Sequence, residues 1–507
     1  MIKKSIPVFL ILGILLSFIS GCTKSKTEKG IALYEKHCTN CHIGPKITDL
    51  PKHIWRKSIL PDMGARMGIR EDGYDPLKGL SYEEMDAVIK TGIFPLKPTI
   101  SYENWGLLKE YILSLAPDSL PSYQDEIASK ELYQFKSNTI SLDAAKRFSF
   151  TYLEFDQTSS KILLGDMGGE LMDYNSVDGL SLLGVYNSPV ISYIAENNET
   201  YITTIGYIHP SAIPKGKTWL MNSKDTLELG HVLHRPVHMV VSDLNANGTK
   251  ELVISEFGDL TGKLSLFIKN ENGTYDKNIL LNQPGAIRVV SKDMDNDGKE
   301  DLVALTSQGD ESITILYQKD NLRFVADKVL RFSPVYGSSW FEIIDYDRDG
   351  DLDIITVHGD NADKSYVQKP YHGMRIHIND GSNSFEEQFF YPLNGATRVV
   401  ASDFDADGDI DFGLLSTFPD YEKAPERSFV YLENSSSSEY LFDPYTFTDS
   451  KKGKWFLMDK GDLDRDGDED IILSGFALPF IPAPKYLETY WREQRADLML
   501  LDNQKIK

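Results

Sequence analysis

Two thiols and an imidazole stand together in Cys38-Thr39-Asn40-Cys41-His42. Thiols two residues apart can add to the two vinyl groups of a porphyrin, and an imidazole directly after them reaches the iron from the same side. Cys-x-x-Cys-His therefore reads as the attachment site of one c-type haem. A redox dithiol has no use for His42, and zinc wants further ligands close by. A Met thioether as sixth ligand raises the reduction potential relative to a second His. Met63 and Met67 are the candidates, four residues apart in Ile59–Gly68 and on one face if that segment is helical. Met63 is the expected ligand and Met67 its rival, with His53 a lesser alternative. Met85, inside an amphipathic stretch, reads as core.

A second chemistry recurs five times. The loops are Asp243-x-Asn245-x-Asn247-Gly248-x-x-Glu251, Asp293-x-Asp295-x-Asp297-Gly298-x-x-Asp301, Asp345-x-Asp347-x-Asp349-Gly350-x-x-Asp353, Asp403-x-Asp405-x-Asp407-Gly408-x-x-Asp411 and Asp462-x-Asp464-x-Asp466-Gly467-x-x-Asp470. Acids at one, three and five turn inward around a tight bend, the Gly at six permits the reversal, and the acid at nine closes the ring. Such an oxygen-rich set suits Ca2+, which takes about 6–8 oxygens. A lone Asp-Gly turn is merely solvated, but five in register predict about five calcium ions. The first loop, with Asn at three and five, is expected to bind most weakly.

The elements that must position these groups follow from the pattern around them. Gly30, Leu33 and Tyr34 precede the Cys pair at helical spacing. Trp105, Leu108, Tyr111, Ile112 and Leu115 recur at three and four residues and predict a further helix. Pro117-Asp118-Ser119-Leu120-Pro121 marks a boundary. Beyond it the loops start 50, 52, 58 and 59 residues apart, with runs such as Leu252-Val253-Ile254 beside them, so each loop should join two strands of one repeat. The net charge of -23 argues against a nucleic-acid partner. The five loops hold 23 of the 76 acids, so much of that charge is local to them. Lys3, Lys4 and the apolar run Ile6–Ile19 read as an export signal.

Several resemblances carry expectations. Ile19-Ser20-Gly21-Cys22 resembles the lipobox of bacterial lipoproteins, which implies lipidation of Cys22 and an extracytoplasmic anchor, expected in the outer membrane. The segment around Cys38–His42 resembles the cytochrome c family. That implies a small all-α domain whose C-terminal helix crosses the first near Gly30, with the Pro45 carbonyl bonded to the axial His. The acidic loops resemble the FG-GAP/VCBS repeats of integrin-like propellers. Five loop-bearing blades leave residues 141–235 for two more, which implies an all-β seven-bladed propeller whose first two blades lack calcium. The expected domains are a signal peptide (1–21), a tether (22–27), a cytochrome domain (28–117), a linker (118–140) and the propeller (141–507). The combination resembles cytochrome-propeller lipoproteins of Bacteroidetes type. With one haem and no recognisable catalytic constellation, it implies one-electron transfer to a redox partner protein, the propeller binding a protein or glycan. The alternatives are a propeller dehydrogenase feeding its own haem, and an adhesin or scaffold with a structural haem. Insertions at 359–373, 417–427 and 476–491 bring Tyr366, Tyr371, His372, Tyr421, Tyr486, Tyr490 and Trp491 as candidate contact residues, and His231, His234 and His238 cluster in sequence.

Overall fold

The computed structural model describes residues 25–71, 73–121, 129–196, 198–222, 226–361, 365–478 and 482–504; the expected export signal and Cys22 lie outside them. No described helix is long and apolar enough to cross a membrane.

The chain opens with a helical unit. Helix α1 (Lys26–His37) starts at Ser25, whose side chain accepts from Glu28 N while Glu28 caps in return. Turns at Ile47–Asp49, Lys52–Ile54 and Trp55–Ile59 lead into α2 (Leu60–Arg66), where Pro61 suits the first turn. Helix α3 (Tyr82–Thr91) has the same reciprocal cap from Ser81 and Glu84 and stops at Gly92 in the left-handed region. Helix α4 (Tyr102–Leu115) begins at Ser101. Helices α1 and α4 cross at Gly30, where a β-carbon would lie 2.6 Å from Tyr111 Cβ, so only glycine permits this approach. Gly64 of α2 likewise lies against Trp105, which would sit 3.0 Å from an added β-carbon. Trp105, Leu108 and Ile112 of α4 are buried in a common core with Leu50, Trp55 and Leu60.

Seven sheets follow, built of antiparallel strands that pair with their neighbours in sequence except where the chain closes the ring. The innermost strands are Phe150–Asp156, Val190–Glu196, Pro236–Ser242, Ala286–Lys292, Ser338–Ile344, Ala396–Ser402 and Trp455–Gly461, numbered here as blades 1 to 7. This is a seven-bladed β-propeller. The second strands of blades 3 to 7 are buried at every residue, because a neighbouring blade covers each face. Outer strands such as Phe324–Arg331 are half exposed.

Closure uses the segment expected as a linker. Phe135–Ile140 pairs with Leu498–Asn503 as the outer strand of blade 7, and Lys130–Glu131 runs parallel to the outer strand of blade 6. An open ring would leave those edges unpaired, and joining the start of the propeller to its end satisfies them. The propeller therefore begins at residue 130, earlier than the expected 141.

Strand direction fixes which end each loop occupies. The acidic loops join first to second strands and lie at one end. Connections from second to third strands, and from one blade to the next, lie at the other. The helical unit sits on that second end. Val335, Tyr336, Val367 and Tyr371 of blade 5 and its approach pack into the helical core. The Tyr371 hydroxyl donates to the Asp49 carbonyl at 2.8 Å. Across the ring, blade 2 offers Ser211, 3.2 Å from Glu84, and Lys215, 3.4 Å from Glu83.

Candidate functional site

Two groups of predicted site residues are brought together, at opposite ends of the propeller. Cys38 caps the end of α1. Cys38, Met63 and Met67 pack against one apolar cluster that includes Trp55, Leu60 and Leu108. Cys38 and Cys41 are free thiols. Burial pushes the Cys38 thiol up to about 11, so it stays protonated and is no ready nucleophile. His42 Nδ1 lies 2.8 Å from the Ile43 carbonyl, an arrangement that places its proton on Nδ1 and leaves the Nε2 lone pair for a metal. The Pro45 carbonyl instead accepts the Tyr34 hydroxyl, so the expected proline partner of His42 is replaced by the neighbouring carbonyl. This donor set (two thiols, a correctly protonated imidazole and thioethers on one apolar cluster) fits a covalently held haem. Met63 lies in α2 and Met67 ends it, and both are partly buried on the same cluster. His53 lies in the preceding turn.

At the other end, all five acidic loops share one backbone design. The glycine at position six is left-handed in each, with φ from 83° at Gly298 to 103° at Gly408. Position four is left-handed too, at Ala246, Asn296, Arg348, Ala406 and Arg465. A non-glycine residue there costs roughly 1–2 kcal/mol, and five such residues mark turns over-determined by their surroundings. The first acid receives the glycine N–H in every copy: Gly248 to Asp243 at 2.8 Å, Gly298 to Asp293 at 2.9 Å, Gly350 to Asp345 at 3.2 Å, Gly408 to Asp403 at 3.1 Å and Gly467 to Asp462 at 3.2 Å.

Carboxylate oxygens converge within 4.8 Å of one another in four of the loops: Asp293, Asp295 and Asp297; Asp345, Asp347 and Asp353; Asp403, Asp405 and Asp411; Asp462, Asp464 and Asp470. Asp349, Asp407 and Asp466 at position five accept the backbone N–H two residues on, at 2.9, 2.8 and 3.2 Å. In the first loop Asn247 accepts from Thr249 in the same way, and Asn245 accepts from Asn247. That loop forms no such acidic cluster. The oxygen sets of the other four fit a hard divalent cation.

The ninth acid has a second duty that its spacing does not reveal. Asp301, Asp353, Asp411 and Asp470 are buried, and each accepts the N–H of loop position two at 2.8–3.1 Å. Their other oxygens accept from Gln318, Asn379, Asn434 and Asn503 on third strands, at 2.7, 2.8, 2.8 and 2.8 Å. Those bonds come from backbone N–H groups, and the side-chain amides of three of the same residues reach the preceding blade: Gln318 donates to the Leu244 carbonyl, Asn434 to the Tyr346 hydroxyl and Asn503 to the Phe404 carbonyl. Glu251 keeps only the first part, accepting from Leu244 at 3.0 Å. Burial, with neighbouring acids adding, pushes Asp353 up to about 6 and Asp411 and Asp470 up to about 7.

The remaining candidates separate. His231 contacts the Tyr275 carbonyl, His234 contacts Thr261, and His238 lies on an innermost strand, so the three form no cluster. Tyr421 and Trp491 stack edge to face 5.2 Å apart in a small core with Leu487, on the helix α5 (Lys485–Gln494) of blade 7. Tyr486 is exposed. Tyr371 alone docks the helical unit, stacking on Tyr336 at 5.1 Å.

Beneath that contact runs a buried polar chain unseen from the sequence. Ser338 donates to Glu311 at 2.5 Å and lies 2.9 Å from His358 Nδ1; Thr356 stands 2.8 Å from His358 Nε2 and 3.0 Å from His377 Nε2. Burial keeps both histidines neutral and pushes Glu311 up to about 7. A carboxyl whose folded pKa exceeds its unfolded one is stabilised when protonated, so this contribution is full below about 4.5 and is lost as pH rises through about 7. We expect Glu311→Gln to abolish a fall of roughly 3 kcal/mol between those limits. Urea unfolding at pH 5 and pH 8 checks this, and equal pH slopes in the two proteins would refute it.

Fold and loops together define a seven-bladed β-propeller with five acidic loops at one end and a small helical unit on the other. The FG-GAP-like repeat family matches residues 293–356, which run from the loop of blade 4 into the second strand of blade 5. No curated protein matches the chain. Among solved structures, the chain is similar to the N-terminal domain of Nup159 (TM-score 0.41, 11% identity, 74% of this chain and 97% of that one). It is similar also to the Pan2 WD40 domain of Neurospora crassa (0.44, 10%, 74% and 98%).

Proposed function

We propose that the protein is a lipid-anchored c-type cytochrome that passes single electrons, with a calcium-stabilised propeller as the surface that binds a partner. The coarser part of this reading, a binding or scaffold role, fits a propeller with an FG-GAP-like repeat. The observation that carries the finer part is the meeting of Cys38, Met63 and Met67 on one apolar cluster, with His42 four residues after Cys38 and its Nδ1 held by the Ile43 carbonyl. A bound haem would supply a reversible one-electron couple. The chain's residues would hold its edges (Cys38, Cys41), ligate its iron (His42 and Met63) and keep water from it (Trp55, Leu60, Leu108). Asp293, Asp345, Asp403 and Asp462 and their loop partners would hold the cations. Cys22 would carry the lipid and place the molecule on the extracytoplasmic side of a membrane.

Spectroelectrochemistry of protein matured in a host that attaches c-type haem tests this reading. We expect one reversible one-electron transition. Its absence in haem-loaded protein would end the electron-transfer proposal. Reduction of the haem by added sugars or alcohols would favour a dehydrogenase instead.

A further inference from the structure

Each innermost strand carries a register shift at its second residue, so the third residue occupies one equivalent place in all seven blades. In the loop-bearing blades that residue stands five before the first acid: His238, Arg288, Trp340, Arg398 and Leu457. Tyr152 and Ser192 take the place in blades 1 and 2. Four of these side chains meet across the axis. His238 of blade 3 contacts Trp340 of blade 5, ring to ring at 6.4 Å, past the intervening blade. Arg288 and Arg398, from the blades on either side, bring their guanidinium carbons to 3.7 and 4.5 Å from the Trp340 ring.

This layer holds two guanidinium groups and no carboxylate of its own. Arg288 shares Glu342 at 3.3 Å, yet its Nε is buried without a hydrogen-bond partner. Arg398 donates to the Thr397 carbonyl and forms no ion pair among the described residues, although it feels the charge of Asp360. His238 Nδ1 is also buried without a partner. Two cations crowded on one indole repel each other, and buried donors without acceptors cost about 1–3 kcal/mol each. One strand step deeper, toward the acidic loops, the same ring carries Glu154, Glu342 and Asp459. Glu342 of that layer accepts from Arg288 at 3.3 Å and from the Trp340 indole N–H at 2.7 Å, which fixes both side chains from below. The arginine layer lies nearer the end on which the helical unit sits.

We propose that this arginine–tryptophan ring on the propeller axis binds a small oxyanion, a carboxylate or a phosphate. Guanidinium forks match either group with paired N–H donors, and a planar acid can also stack beside the indole. The ligand sits between the axis and the helical unit. The site depends on neither haem nor calcium chemistry.

Isothermal titration of the full mature chain with inorganic phosphate, and separately with citrate and acetate, tests the proposal at low ionic strength. We expect saturable binding of at least one anion, weakened at least tenfold in Arg398→Gln and partly restored in Arg398→Lys. The arm that binds tells phosphate from carboxylate. Circular dichroism confirms that the variants fold; if Arg398→Gln does not, tungstate soaked into crystals of the unaltered protein must give a density peak at this ring. No anion heat above that of chloride, equal affinity in a folded Arg398→Gln, or a peak elsewhere and not here would overturn it.

Discussion

Chelation of calcium is expected to lower the melting temperature of the propeller by roughly 20 °C. The estimate follows from linkage. A cation at a thousandfold its dissociation constant stabilises a folded site by about 4.1 kcal/mol, and four strong sites give roughly 16 kcal/mol. An unfolding entropy near 2.1 cal/mol/K per residue over about 370 residues turns that into the stated shift. The structural reason lies in the four clusters of carboxylate oxygens within 4.8 Å of one another, which repel one another without a cation. Because the ninth acid of each also pins a third strand, relaxation of the loop is transmitted to the blade interface. Calorimetric scans with and without EGTA measure the shift, and titration should resolve four strong sites and a weak fifth at Asp243. An unchanged melting temperature, or a first loop that fills before the others, would overturn the assignment.

The five loops were legible because their signal is local: alternating oxygens, a glycine and a fixed spacing inside nine residues. Seven blades followed from the length left over, and the sheets bear out that count. What escaped the sequence depends on long-range pairing. Phe135 meets Asn503 only once the ring closes, and nothing near Phe135 announces a partner at the chain's far end. The amides that complete the ninth acid lie 17, 26, 23 and 33 residues beyond it, because second-to-third-strand loops vary in length, so no constant spacing exposes them. The axial ring had a fixed spacing, five before each first acid, but its residue types differ from blade to blade. A search for identical repeats passes over such a position, although the differences are what a single asymmetric ligand site at the axis requires. In the helical unit, Gly30 and the α4 stripe were readable from periodicity. The docking of Tyr371 on Asp49 was not, since burial between two units leaves no period.

Replacing both Cys38 and Cys41 with Ala is expected to eliminate covalent haem entirely while leaving the propeller folded. The helical unit has few buried apolar residues of its own beyond those around Trp55, Trp105 and Leu108, and it shares that core with Val335 of the propeller. A small domain of this kind needs a covalent or metal staple to reach independent stability. Without the porphyrin, Cys38, Met63 and Met67 would keep only their packing on the apolar cluster, so the unit should loosen. Limited proteolysis should then cut within residues 26–115 of the variant, and residues 130–504 should stay protected because their sheets close on themselves. Acid–acetone extraction followed by a haem stain reads the covalent bond directly. Single Met variants then assign the sixth ligand: Met63→Ala should lower the midpoint potential and Met67→Ala should leave it nearly unchanged, since loss of an axial thioether removes the preference for ferrous iron. Covalent haem surviving in the double variant would place its attachment elsewhere, and the reverse pattern among the Met variants would transfer the ligand to Met67.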